Sequence, residues 1–197
     1  NVQLAQGDLA GARASYEQDL MIAEKLAAGD PTNAQWQRDL SVSLNKLGNV
    51  QLAQGDLAGA RASYEQSRTI REKLAAGDPT NAGWQRDLSV SLNKLSDVQL
   101  AQGDLAGARA IYEQSRTIRA KLAAGDPTNA QWQRDLAVSC INLGEVAVKA
   151  GDTASARREF TAALAIGERL TKLDPTNATW RSDIAWLREQ LAQLPPQ

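Results

Sequence analysis

Hydrophobic residues recur along the chain at spacings of three and four, which is the period of one face of an α-helix. In one stretch they are Trp36, Leu40, Leu44 and Leu47, and in the next they are Leu57, Ala60, Tyr64, Ile70 and Leu74. No stretch shows the alternation of period two that is typical of a half-buried strand. The pattern predicts one helix from Ala34 to Gln54 and a second from Leu57 to Ala76.

Breaks in this pattern fall between the predicted helices. Gly55-Asp56 follows the first helix, and Gly77-Asp78-Pro79 follows the second. Glycine tolerates the left-handed turn that ends a helix, and an aspartate accepts hydrogen bonds from the free N–H groups at the start of the next. Thr80 or Asn81 is then expected to cap the following helix. Because these breaks recur about every 24 residues, a continuous coiled coil is excluded.

The whole pattern repeats with a fixed period of 48 residues. The first two copies differ at six positions, which favours either a natural duplication or a designed, consensus-like scaffold. A strict period of this size predicts stacked helix pairs, and therefore an all-α solenoid. We expect residues 1–197 to form a single array with units 1–48, 49–96, 97–144 and 145–192.

The two ends of the array differ. Segment 177–194 is predicted to be a C-terminal capping helix, because Arg188 stands where Leu44 packs and polar substitution closes a solenoid. The N-terminus begins within a repeat, which suggests truncation from a longer protein. Residues Asn1–Gln6 would form only a stub of a first helix, leaving the apolar face of the next helix partly bare. Self-association through this helix, or coverage of it by a helix of another chain, is therefore expected.

The residues Leu44-x2-Leu47-Gly48, Ala60-x3-Tyr64 and Pro79 resemble the tetratricopeptide repeat, whose pattern spans about 34 residues. Each helix here is longer by one heptad, which is nearly two full turns and rotates the apolar face by only ~20°. The resemblance implies a right-handed superhelix of antiparallel helix pairs. It also implies a protein-binding function.

Composition narrows the range of functions. The net charge is −1, from 22 basic and 23 acidic residues, so no strongly basic surface points to a nucleic-acid partner. There is one cysteine and no histidine, which excludes an intramolecular disulfide and suits a cytoplasmic protein. No apolar run approaches the ~18 residues of a membrane span. No metal-ligand spacing, phosphate loop or catalytic triad occurs, so neither enzymatic activity nor a metal or cofactor is expected.

Several recurring residues admit two interpretations. One tryptophan per repeat either packs in the core, which we favour, or forms an aromatic ladder for ligands; these are Trp36, Trp84, Trp132 and Trp180. Gly48 and Gly144 predict close helix approach, and Cys140, on the apolar stripe, predicts a buried and inert thiol. The basic residues late in the second helices favour a solvated outer face over a nucleic-acid stripe; these are Arg68, Arg71, Lys73, Arg116, Arg119 and Lys121.

In the family that the chain resembles, the first helix of each pair lines a concave face. The resemblance therefore implies a peptide-binding groove formed by Arg38, Asn45, Asn49, Arg86, Asn93, Asp97, Arg134 and Glu145. An asparagine side chain both donates and accepts hydrogen bonds, so these residues would hold a peptide backbone; the alternative is that they are only solvated. The sequence thus favours a protein or peptide-binding scaffold. The alternatives are a passive spacer or sensor arm of a larger signalling protein, or a designed scaffold.

Overall fold

The computed structural model describes residues 8–195, and in that part of the chain it contains eight α-helices and no strand. The helices are α1 (Leu9–Gly29), α2 (Ala34–Ala53), α3 (Leu57–Gly77), α4 (Ala82–Ala101), α5 (Leu105–Gly125), α6 (Ala130–Lys149), α7 (Thr153–Leu173) and α8 (Ala178–Gln193). The predicted all-α fold is confirmed, and α2 and α3 match their predicted bounds within one residue. The helix stub expected at Asn1–Gln6 lies outside the described residues.

We call α2, α4, α6 and α8 the first helices of their pairs, and α1, α3, α5 and α7 the second helices. First helices begin after an asparagine: the side chain of Asn81 accepts a hydrogen bond from the Trp84 N–H at 3.1 Å. Second helices begin after an aspartate, as where Asp56 accepts from the Gly59 N–H at 2.9 Å. The cap of α4 is thus Asn81, and Thr80 instead donates to the carboxylate of Asp78.

The turn from a first to a second helix depends on a glycine with positive φ. These residues are Gly55 at 78°, Gly103 at 82° and Gly151 at 73°. A residue with a Cβ rarely adopts this conformation, so the Gly-Asp dipeptide fixes both the end of one helix and the start of the next.

The chain divides into two compact units, Asn1–Asp104 and Leu105–Gln197. Within each unit, consecutive helices pack against one another in chain order. The pairs are antiparallel, because Ser41 near the start of α2 meets Arg71 near the end of α3, whereas Gly48 near the end of α2 meets Tyr64. This is the sequential stacking of an α-solenoid. A single array across both units and its right-handed sense stay predictions.

Glycine permits close approach inside two of the hairpins, α2–α3 and α6–α7. A Cβ placed on Gly48 would lie 2.5 Å from the Tyr64 ring, and a Cβ on Gly144 would collide in the same way with the Phe160 ring. Tyr64 and Phe160 are fully buried. The predicted reason for these glycines is therefore confirmed: the ring of the second helix occupies the space that a side chain would need.

The fourth recurring tryptophan packs in the core. Trp180 is half-buried against Ile166 and Leu170, near the end of the preceding helix, and against Ala137 of the neighbouring first helix. This is the position predicted for the extra heptad. Trp36, Trp84 and Trp132 are half-buried as well.

The burial of two arginines contradicts the prediction that the basic residues of the second helices form a solvated outer face. Arg71 and Arg119 are only 3% and 5% exposed. Arg71 Nε donates to Ser41 Oγ at 2.9 Å, and its Nη1 donates to the Asp87 carbonyl at 2.7 Å, so one guanidinium joins α2, α3 and α4. In the second unit, Arg119 donates to the Asp135 carbonyl at 2.9 Å and to Ser139 Oγ at 3.2 Å.

The small serines that surround these arginines explain the difference. Ser67 Oγ donates to the Ser41 carbonyl at 2.8 Å and lies 3.2 Å from Ser91 Oγ, so the space between three helices is narrow and polar. The contact of α3 with α2 and α4 extends as far as Arg71, which charge counting alone places at the surface. Burial lowers the pKa of the Arg71 guanidinium to about 10, which still leaves it charged at neutral pH.

Candidate functional site

The exposed line of the first helices is rotated by about one residue from the predicted line. On α2 it follows Gln35, Asp39 and Lys46, which are exposed, with Val42 and Asn49 half-buried along it. We call this line the first-helix face; α4 carries an equivalent line in the same unit, and α6 carries one in the second unit. Asn45 and Asn93, which were predicted to lie in the groove, are buried at 7% and 8% exposure.

The predicted arginines connect neighbouring first helices. Arg38 Nε on α2 lies 2.5 Å from the Asp87 carboxylate on α4, and this partner raises the pKa of Arg38. In the second unit, Arg134 on α6 lies 3.3 Å from the carboxylate of Asp183 on α8. Each pair joins two helices that have no direct chain connection, so both arginines hold adjacent repeats together as well as bordering the face.

The remaining predicted residues lie on or beside this face. Asn49 accepts a hydrogen bond from the hydroxyl of Tyr64 at 2.8 Å, and burial raises the pKa of that hydroxyl. Asp97 is half-buried, 3.7 Å from Lys94 of the same helix. Arg86 and Glu145 are also half-buried. A role for any of these residues in peptide binding stays a prediction.

Two lysines on the first-helix face were missed by sequence reasoning. Lys46 lies 3.9 Å from Asp19 and 5.8 Å from the centre of the Tyr16 ring, and its side chain is 46% exposed. Lys94 is its equivalent on α4. The signal that could have found them is the heptad spacing from Asp39 to Lys46, which runs beside the asparagine line. The face therefore mixes acidic, basic and amide groups.

Cys140 does not place a reactive thiol on the first-helix face. Its side chain is buried, and burial, with a smaller effect from nearby Glu159, raises the pKa of the thiol to about 11. At neutral pH almost none of it is thiolate, which is the reactive form. Among residues 8–195, no three histidine, cysteine or carboxylate side chains converge to hold a metal ion. No helix in that range has the length and apolar character required to cross a membrane.

These features define a protein of repeated antiparallel helix pairs with a mixed polar face on its first helices. Two family models described as tetratricopeptide repeat match the sequence, one over residues 40–78 and the other over 1–18, 91–114 and 137–160. Together these segments span more than half of the chain. The chain belongs to the tetratricopeptide repeat family.

Solved structures of other proteins are similar to it at low sequence identity. BtubC (BKLC) from P. vanneervenii is 14% identical with a TM-score of 0.43, covering 96% of this chain and 94% of that one. Pseudomonas aeruginosa pilF is 19% identical with a TM-score of 0.35, covering 99% of this chain and 90% of that one. A de novo designed helical repeat protein is 12% identical with a TM-score of 0.35, covering 95% of each chain. No curated protein matches the sequence.

Proposed function

We propose that this chain is a non-catalytic scaffold that binds a peptide segment of a partner protein on its first-helix face. Membership of the tetratricopeptide repeat family supports protein binding in general. The observation that carries the finer proposal is the composition of the face itself. It presents amides and charges of both signs, and contacts within the protein hold several of these side chains in place. Such a surface suits recognition of an extended or helical peptide.

These intramolecular contacts support binding because they fix the positions of side chains on the face. Arg38 is held by Asp87, and Asn49 is held by the hydroxyl of the buried Tyr64. Side chains that are already ordered lose less conformational entropy when a ligand arrives. The residues that we expect to contact the ligand are the half-buried and exposed residues of the first unit, Lys46, Asn49, Lys94 and Asp97. Glu145 is the corresponding candidate in the second unit.

The proposal can be tested with a peptide selected from a random display library on the purified chain. We expect a joint substitution of Asn49 and Asp97 by alanine to weaken binding of the selected peptide at least about tenfold, or ~1.4 kcal/mol. The matched control replaces Gln66 and Glu65 on α3 by alanine. These residues stand outside the first-helix face, so the affinity is expected to change by less than about twofold.

Equal losses in the two variants would contradict the proposal. Failure to select any peptide would favour the alternative function, a passive spacer or sensor arm in a larger signalling protein. Circular dichroism of both variants, recorded alongside the binding measurements, separates loss of binding from loss of fold.

We also propose self-association through α1. This helix exposes Met21, Ile22 and Leu26, at 68%, 63% and 44% of their surfaces. A cluster of exposed aliphatic side chains on one helix favours association with another apolar surface. Sedimentation velocity over a range of concentrations tests this proposal, and a clean monomer at high concentration would contradict it.

A further inference from the structure

Two of the exposed aliphatic residues of α1, Ile22 and Leu26, lie within a longer exposed line along the helix. At heptad-like spacing this line runs through Ser15, Gln18, Asp19, Ile22, Lys25, Leu26 and Gly29, all of which are exposed. We call these residues the α1 line. Spacings of three, four and seven place them on one side of the helix, where a second helix would pack.

The same line on α3 shows what kind of element packs there. Ser63 and Ser67 are buried, and both hydrogen-bond to α2, Ser63 to Gln51 at 2.7 Å and Ser67 to the Ser41 carbonyl at 2.8 Å. Farther along α3, its side chains line a cleft of about 270 Å³ with residues at or just before the start of α2. On α3, therefore, an antiparallel helix covers the first part of this line, at Ser63 and Ser67.

The sequence of α1 differs from that of α3 at the residues that make this contact. Four of the six differences between the first two repeats fall within residues 19–23, where Asp19, Leu20, Met21 and Ala23 replace Ser67, Arg68, Thr69 and Arg71. The buried arginine and its companion serine are both lost. The changes also create the Met21–Ile22 aliphatic pair, so the α1 line is suited to a different helix from the one that covers α3.

Charge complementarity identifies a second copy of α1 as that helix. Asp19 and Lys25 stand three residues before and three residues after Ile22. In an antiparallel pair centred on Ile22, Asp19 of each copy therefore faces Lys25 of the other, twice, by symmetry. In a parallel pair, Asp19 would face Asp19 and Lys25 would face Lys25, which is repulsive.

Asp19 also has a charged neighbour within its own chain. Lys46 on α2 lies 3.9 Å from the Asp19 carboxylate, and the aspartate side chain is 54% exposed. An exposed ion pair at this distance contributes little, so it leaves the carboxylate able to meet Lys25 of a second copy.

From the charge complementarity of Asp19 and Lys25 we infer that the chain forms an isologous dimer, in which the two α1 helices pack antiparallel through Ile22. Ile22 of the two copies forms its apolar centre, Leu26 extends it along the line and Met21 flanks it, and two Asp19–Lys25 pairs fix its register. The inference rests on the self-association proposed above and adds the partner, the direction and the register. It is independent of peptide binding on the first-helix face.

The test uses the complete chain and two charge-reversal variants, Asp19→Lys and Lys25→Asp. In the homodimer of each variant, like charges face each other at both contacts, so we expect dimer affinity to fall at least about tenfold. In an equimolar mixture, the introduced lysine of one variant would face the introduced aspartate of the other. The unchanged Lys25 would likewise face the unchanged Asp19. We therefore expect the mixture to regain dimers with affinity close to that of the unmodified chain.

Lys73→Asp is the matched control, because Lys73 is the equivalent exposed residue of α3. We expect it to leave dimerisation unchanged. Sedimentation velocity gives the dimer affinity of each sample, and far-ultraviolet circular dichroism confirms that the variants are folded. Added salt should weaken the dimer of the unmodified chain, since its register depends on exposed charges.

The possible results separate the two proposals. If the unmodified chain is monomeric at every concentration, both the self-association and the α1 pairing are wrong. If it dimerises but neither reversal weakens the dimer, self-association stands and the antiparallel α1 pairing is wrong. If the single variants dissociate and their mixture does not recover, the register centred on Ile22 is wrong. Dissociation of each single variant, together with recovery of the dimer in the mixture, supports the pairing.

Discussion

The guanidinium of Arg71 donates a hydrogen bond to Ser41 Oγ across 2.9 Å, at a site where only 3% of the arginine is exposed. The same side chain reaches the Asp87 carbonyl, so a single buried charge connects three consecutive helices. A buried cation retains its charge only when polar groups replace the water that it has lost. Ser41 and the Asp87 carbonyl are two such groups.

Loss of Arg71 should therefore be costly. We expect Arg71→Ala to lower the free energy of unfolding by about 2–4 kcal/mol, because it removes charge-assisted hydrogen bonds and leaves a cavity. Arg71→Met should cost less, since it fills much of the same space without a charge. Urea denaturation measures both changes. The control Arg61→Ala removes a half-exposed arginine paired with Glu65 and should change stability by less than about 1 kcal/mol.

Gly48 should reject a larger side chain. Its hypothetical Cβ lies 2.5 Å from the Tyr64 ring, so Gly48→Val is expected to lower the free energy of unfolding by about 2 kcal/mol or more. A Cβ placed on Gly77 meets no atom within 4 Å, so Gly77→Val serves as the matched control. Gly48→Ser should be better tolerated, because serine occupies the equivalent buried position, Ser96. Equal losses for Gly48→Val and Gly77→Val would contradict this account of the hairpin.

Cys140 should be protected from modification in the folded protein. Burial raises the pKa of its thiol to about 11, and the thiolate is the form that reacts. We expect a thiol reagent at pH 8 to label the native chain far more slowly than the chain in denaturant. The chain has one cysteine, so the signal comes from this residue alone. Rapid labelling of the native chain would show that α6 and α7 separate easily near Cys140.

The Asp-Pro-Thr turns should make stability depend on acid pH. Hydrogen bonds from Thr80 hold the pKa of Asp78 below its usual value of 3.8, and Asp30, Asp126 and Asp174 are bonded by threonines in the same way. A carboxylate whose pKa is depressed on folding stabilises the fold above its unfolded pKa, and the effect is lost as pH falls through the folded value. Unfolding midpoints should therefore fall as pH drops below about 4.

Asp78→Asn tests the contribution of one such turn. This variant cannot ionise at position 78, so its midpoint should fall less steeply over the same acid range. Thermal unfolding by circular dichroism between neutral pH and pH 3 would measure the difference. Parallel pH profiles for the variant and the unmodified chain would show that the turn does not contribute.

The sequence by itself determined the helices and their ends. Periodic apolar residues, Asn and Asp caps, and glycines in left-handed turns act over a few residues, so Ala34–Ala53 and Leu57–Gly77 followed from local rules. The recurring small residue at Gly48 also indicated close helix approach, and the structure identifies Tyr64 as the neighbour.

Only the tertiary structure decided which side of a helix faces solvent and which charges are buried. Successive residues of a helix point about 100° apart, so an error of one residue in the predicted exposed line changes which side chains reach solvent. The structure buries Asn45, which was predicted at the surface, and exposes Lys46. Arg71 is buried because Ser41 and Ser67, distant in sequence, leave room for it between three helices. Such burial depends on the combined shape of several segments, which no single stretch of the chain specifies.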